Sequence, residues 1–264
     1  MMPSELREDR GEIEASAKGR LPKIVRPSQI RGDLHVHSEW SDGSDPIEKI
    51  ASRCRGMGYE YVAVTDHSKG LKVAGGLSER DVLKKLEEIR VLNSRMKGFR
   101  ILAGVEVDIL GDGALDYGKD TLKRFDLVIA AIHAGFKQPK DILTARIVKA
   151  LDTGLVDILA HPTCRLMGTR EACDIDLDRV FRAARAAGVA LEINAFPDRM
   201  DLDDTNARAA KDSGVKLALG TDSHSVDQLG HMALGVSVCR RAWLGKGDIL
   251  NTMGLKELLK FLDR

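Results

Sequence analysis

The stretch "GDLHVHSEWSDG", residues 32 to 43, sets His35 and His37 one residue apart between Asp33 and Asp42, in a chain with 7 histidines among 264 residues. On a strand, side chains two apart share a face, so these imidazoles form a chelating pair. One such pair alone reads more readily as surface histidines near a turn. The rest of the chain adds "VTDH" with Asp66 and His67, "GVEVD" with Glu106, His133 in "AIHAGF", His161 in "AHP", "LEIN" with Glu192 and Asn194, and "GTDSH" with Asp222 and His224. Imidazole mixed with carboxylate suits Zn, Mn or Fe, whereas all-oxygen sites suit Mg or Ca. His35, His37, His67, His133, His161 and His224 with Asp42, Glu106 and Asp222 exceed the needs of one tetrahedral ion. With several ions a few ångströms apart, a carboxylate such as Glu106 can bridge two of them, and a shared water becomes a nucleophile at neutral pH.

These residues need a scaffold that brings them together. From residue 31 short apolar runs alternate with helical patterns, the rhythm of parallel βαβ units. The runs are Asp33 to His37, Tyr61 to Thr65, Ile101 to Val107, Leu127 to Ile132, Val156 to Ala160, Ala190 to Ile193 and Lys216 to Leu219. Helices are predicted near 46–57, 78–97, 118–124, 140–153, 176–187, 203–213 and 254–262. Ser78 before an acidic first turn is a good N-cap. The candidate ligands lie at or just beyond the C-terminal ends of the strands, and every strand contributes. An open sheet would gather them at one switch point, so a closed α/β barrel short of eight strands is expected, with its site at the C-terminal face. Residues 1–30, with three prolines and a short helix expected within 4–17, read as an arm.

Composition narrows the function. Hydrophobic residues at 43% and charged residues at 31% describe a globular chain with a sizeable core. A net charge of +1 and 4% aromatics leave no bulk electrostatic footprint for nucleic acid, so a DNA contact would be a local groove. Cys54, Cys164, Cys173 and Cys239 form no CxxC pair and suggest reduced thiols in a cytoplasmic protein. Cys164, three residues after His161, reads more readily as a buried thiol than as a ligand. No apolar run is long enough for a membrane span.

The motifs "DLHVHSEWSDG", "VTDHS", "GVEVDIL", "AIHAGF", "AHPTCRL", "LEINAFPDRMDL" and "GTDSHS" occur in an order and spacing that resembles the PHP (polymerase and histidinol phosphatase) family. The likeness is strongest to the PHP domain that ends bacterial and archaeal family X DNA polymerases. It runs from about residue 31 to the C-terminus, and "SELREDRGEIEA" resembles the segment before that domain. The resemblance implies a distorted (β/α)7, TIM-like barrel over 31–264 that acts as a metal-dependent phosphoesterase, with 1–30 as an arm resembling the end of a polymerase core. It implies three divalent metal ions: one on His35, His37, Glu106 and Asp222, a second on Glu106, His133 and His161, a third on Asp42, His67 and His224. The family often has His where Asp42 stands, which points to an altered metal preference there. Since the polymerase domains do not precede "SELRE", nucleotidyl transfer is not expected.

The activity so implied is 3′-5′ exonuclease action or trimming of single-stranded DNA 3′ ends in DNA repair, with Mn²⁺. A separately encoded polymerase is the corresponding partner. Two alternatives stay open: a small-molecule phosphomonoesterase of histidinol-phosphate type, and a non-catalytic accessory barrel for a polymerase. The residues themselves suggest Arg165 and Arg199, just after the fifth and sixth strands, as phosphate contacts, with Lys69 a weaker candidate. His231 is the histidine left without a metal role, a proton donor to the leaving group or a structural residue. Glu192 and Asn194 share a strand face and are expected to orient ligands or to bond substrate, and Asp66 to point the other way or to buttress its turn.

Overall fold

Seven parallel strands form one sheet in sequential order: β1 (Gly32–Val36), β2 (Tyr61–Val64), β3 (Arg100–Asp108), β4 (Leu127–Ala131), β5 (Ile158–Leu159), β6 (Ala190–Asn194) and β7 (Leu217–Gly220). The structure is a computed structural model and describes residues 2–263. The sheet closes where β1 meets the segment after β7: Asp222 N–H donates to His35 O and His37 N–H to Ser223 O, both at 2.9 Å. Buried Asp33 rivets this seam, accepting from Thr221 N–H at 3.1 Å and Thr221 Oγ1 at 2.5 Å. The architecture is thus the seven-stranded α/β barrel that the strand pattern predicts.

Helices α2 (Ile47–Gly56), α3 (Glu79–Arg95), α4 (Lys119–Leu122), α5 (Lys140–Leu151), α6 (Leu177–Ala187) and α7 (Asp204–Asp212) follow the first six strands in turn. An apolar stripe on each packs outward-facing strand residues, as Ile50 and Ile89 do with Val62 and Ile101. Helix α8 (Met232–Arg241), which follows β7, is absent from the predicted elements. Its "MALGVSVCRR" holds a glycine and two valines, poor helix formers, and it owes its helicity to packing of Val236 and Cys239 in the core. Helix α9 (Leu255–Leu262) covers the N-terminal end of the barrel.

The inward faces of the strands carry two chemistries in sequence. Ala63, Leu102, Ile129, Ala190 and Ala218 make one apolar cluster with Leu250 and with Leu258 of α9. Continuing the two-residue period along the same strands leads to His67, Glu106, His133, Glu192, Asn194 and Asp222. The lower barrel is therefore a packed floor and the C-terminal end a polar cup. Ahead of β1, the arm contains α1 (Glu12–Ala17) and buries Leu6 and Val25 completely. Glu5 pairs with Arg240 and Glu8 with Arg241 at 2.6 Å, and Arg10 with Asp204 at 2.7 Å, fastening it along α7 and α8.

Candidate metal centre

His35 and His37 leave β1 with their Nε2 atoms 3.1 Å apart, and His37 Nε2 lies 3.1 Å from Asp222 Oδ1. Both imidazoles are wholly buried. Nitrogens converging so closely on one carboxylate oxygen, away from water, form the donor set of a cation site. Glu106 of β3 stands at the centre. Its Oε2 lies 3.4 Å from His35, 3.5 Å from His37 and 2.9 Å from His67. Its Oε1 lies 2.9 Å from His161 and 3.4 Å from His133. On the far side Asp42 Oδ2 faces His224 Nε2 at 3.3 Å and His67 Nε2 at 3.5 Å. The His37 ring stacks on both His67 and His224 at 4.4 Å. Three groupings of ligand atoms emerge: His35, His37 and Asp222; His67, Glu106 and His133; and His37, Asp42, His67 and His224.

Outer hydrogen bonds fix which nitrogen faces inward. His35 Nδ1 meets Glu192 at 2.7 Å, His133 Nδ1 meets Asp108 at 2.5 Å, and His224 Nδ1 meets the Asp222 carbonyl at 2.8 Å. Each of these rings therefore presents Nε2 to the cup, the arrangement that orients metal-ligating histidine. The buried Nδ1 atoms of His37 and His161 have no hydrogen-bond partner. Unpartnered imidazole nitrogens among buried carboxylates fit divalent cations held at this place.

The electrostatics are those of a tightly coupled set. Burial alone would raise Glu106, yet the charges of His35, His67 and His133 hold it well below the usual carboxylate range. Asp222 is likewise held low by His35 and His37 against its own burial. Burial and neighbouring His67 push His37 down to about 4, and burial and Arg199 do the same to His161. The backbone is also under load, since His161 (φ 27) and Asp222 (φ 53) occupy the left-handed region that side chains avoid. At Gly220 a β-carbon would overlap the Glu192 carboxylate and the His35 side chain, so only glycine lets these two meet.

A family profile described as the PHP domain matches residues 33–196, the span from Asp33 in β1 to Phe196, two residues past β6. The chain belongs to the PHP family. Over its full 264 residues it is 43% identical to the DNA polymerase/3′-5′ exonuclease PolX of Bacillus subtilis, and it spans 46% of that protein. It is 32% identical over 241 residues to a protein of Thermoanaerobacter named "probable phosphatase", covering 86% of this chain and 94% of that one. Among solved structures, the histidinol phosphate phosphatase of Lactococcus lactis, complexed with Zn, L-histidinol and phosphate, shares the fold with a TM-score of 0.58 at 18% identity. That match covers 81% of this chain and 94% of the other. As a PHP-domain enzyme the protein is a metal-dependent phosphoesterase.

Within the PHP cup, Arg199 reaches the cluster, its Nε donating to Asp222 Oδ2 at 3.1 Å. Asn194 Nδ2 holds the same oxygen at 3.1 Å and Glu192 at 3.2 Å. Several expected members stand elsewhere. Arg165 directs its fork at backbone: Nε donates to Arg199 O at 2.8 Å, Nη2 to Met200 O, and Nη1 faces Asp203. Arg165 thereby buttresses the loop that carries Arg199. His231 packs edge-on against Phe196 at 5.4 Å, and the same ring lies 6.5 Å from His224. Lys69 pairs with Glu79 at the surface, whereas Cys164 is the buried thiol expected of it, with Sγ 3.9 Å from Ile132 O.

Two supporting residues escape the sequence reading. Asp108 shares the inward face of β3 with Glu106, a period-two signal present in "GVEVD". Lys85 lies on the apolar stripe of α3 with Val82, Ile89 and Leu92, wholly buried. Its ammonium donates to Val64 O at 2.9 Å and Gly104 O at 3.0 Å and pairs with Asp66 at 2.8 Å. Asp66 in turn accepts from Ser38 N–H at 2.7 Å, Ser38 Oγ at 2.8 Å and Ser41 Oγ at 2.8 Å. A buried ion pair thus anchors the turn that carries Asp42.

Proposed function

We propose that the protein hydrolyses phosphodiesters at single-stranded DNA 3′ ends, using three divalent ions. His35, His37, Glu106 and Asp222 would hold the first, Glu106, His133 and His161 the second, and Asp42, His67 and His224 the third. Zn, Mn and Fe suit such donors. The observation that carries this reading is the position of Glu106, one oxygen turned to His35, His37 and His67 and the other to His133 and His161. When bound, the ions supply a shared water of lowered pKa and neutralise phosphate charge.

The chain's own groups do the placing. Glu192 orients His35, Asp108 orients His133, and Asn194 and Arg199 hold Asp222. Arg199 offers a guanidinium to a phosphate oxygen at the rim of the cup, with its loop held by Arg165. The likeness of all 264 residues to 46% of a protein named as a DNA polymerase/3′-5′ exonuclease supports DNA as substrate. A second reading, a small-molecule phosphomonoesterase, has its own support in relatives of matching length named as phosphatases. The test is incubation with a 5′-labelled single-stranded oligonucleotide and Mn²⁺, beside a chelator control. A chelator-sensitive ladder shrinking from the 3′ end is expected. An intact oligonucleotide in a preparation that cleaves p-nitrophenyl phosphate would replace this reading with the monoesterase.

A further inference from the structure

Two loops leave the cup directly after His133 and His161, and beyond them lies a cavity of about 590 Å³. Its lining includes Gly135, Phe136, Lys137, Arg170 and Cys173. The first loop is fixed from beneath by Arg146 of α5, whose own side chain is buried. Arg146 Nη1 donates to Ala134 O at 2.8 Å and Gln138 Oε1 at 3.1 Å, and Nη2 donates to Ile109 O. Gly135 (φ +74) permits this, because a β-carbon there would stand 3.0 Å from Arg146 Nη1. The second loop folds back on itself, with Leu166 and Arg170 exchanging backbone hydrogen bonds at 2.8 and 2.7 Å and Cys173 N–H donating to Thr163 O at 2.8 Å. Arg170 Nε is anchored on Cys164 O at 2.8 Å, and its guanidinium lies over the Phe136 ring, 3.8 Å from the centroid. A chain with only 6 phenylalanines thus sets one of them, stacked with an arginine and braced by a buried one, against a cavity beside its metal centre.

We propose that Phe136 and Arg170 form a subsite for the base of a nucleotide flanking the scissile phosphate. This rests on the DNA reading above. An aromatic ring and a guanidinium plane are the two side-chain surfaces on which single-stranded bases stack irrespective of sequence. Both stand on loops that begin at His133 and His161, the candidate ligands of the second ion, so a base seated here would flank that side of the cup. Rigid bracing of both loops spares the ordering cost that a mobile platform would add on binding. Lys137 adds a cation suited to the adjoining phosphate, on a lining that also carries Glu171 and Asp174.

The test compares kcat/KM on an oligonucleotide with intact 3′ nucleotides and on the same strand with an abasic sugar at the last or next-to-last position. Bis(p-nitrophenyl) phosphate serves as a diester without a base. The wild type should prefer the intact strand by at least about fivefold. Phe136→Ala and Phe136→Leu should bring that preference near parity, while metal content and the rate on the small diester hold. Arg170→Ala should act in the same direction, and the Leu variant guards against loop collapse. Equal cleavage of intact and abasic strands by the wild type would overturn the subsite and leave the DNA reading standing, as would a preference that survives in both Phe136 variants. Cleavage of the small diester with no cleavage of either strand would overturn the DNA reading and the subsite with it.

Discussion

Asp201 shows how a single buried carboxyl reports on the cup. It is wholly buried, and its carboxylate accepts from Thr163 N–H at 3.0 Å. Burial pushes it up to about 7, against the pull of Thr163 and Arg165. The folded state therefore binds this proton more tightly than the unfolded chain. The resulting stability is complete below the ordinary carboxylate pKa of about 4 and is lost as pH rises to about 7. Asp201→Asn removes the titration, so the Tm of the variant relative to the wild type should climb between about pH 4 and 7. A constant difference across that range would show that the carboxyl is ionised throughout. Arg199 makes a separate prediction. Arg199→Ala should raise KM for phosphodiesters roughly 10- to 100-fold, from the loss of a charge-assisted hydrogen bond, with at most a small fall in metal content because Asn194 still holds Asp222 Oδ2. Unaltered kinetics would take Arg199 out of the substrate's reach. The candidate ligands themselves were legible because each sits in a short polar motif at the end of an apolar run. Arg165 was not, because sequence places it near the mouth but does not reveal that backbone carbonyls claim its donors.

At the scale of elements, the strands were readable because both faces are buried, giving short, bounded apolar runs. Even β5, reduced to Ile158–Leu159, lies inside its expected run. Helix α8 lacked a propensity signal, since tertiary packing supplies what its residues do not. Lys85 had a signal that went unread: a charge on the buried stripe of α3, three residues after Val82 and four before Ile89. Lys85→Met would leave Asp66 buried and unpaired, at a cost of about 3–5 kcal/mol. The turn holding Asp42 should loosen, so elemental analysis should show loss of about one ion while the others remain. Adding Asp66→Asn should recover part of the stability. A variant with full metal content and wild-type Tm would show that the pair does not support this turn.

Across the whole molecule, a single barrel gathers residues from position 35 to position 224 into one cup, and no helix among the described residues is long and apolar enough to cross a membrane. The arm is part of that unit. Removing residues 2–10 takes away buried Leu6 and the partners of Arg240 and Arg241. Lost burial of about 1.5–3 kcal/mol should lower Tm by roughly 5 °C. An unchanged Tm would mean that the arm rests on the barrel without stabilising it. Glu106 is proposed to link two ions in a cluster of three, and counting metal per chain by elemental analysis, in the wild type and in Glu106→Gln, tests that most directly. Three equivalents falling to about one are expected, the ion on Asp42, His67 and His224 being retained. A wild type with a single ion, or a variant that keeps all three, would contradict the account.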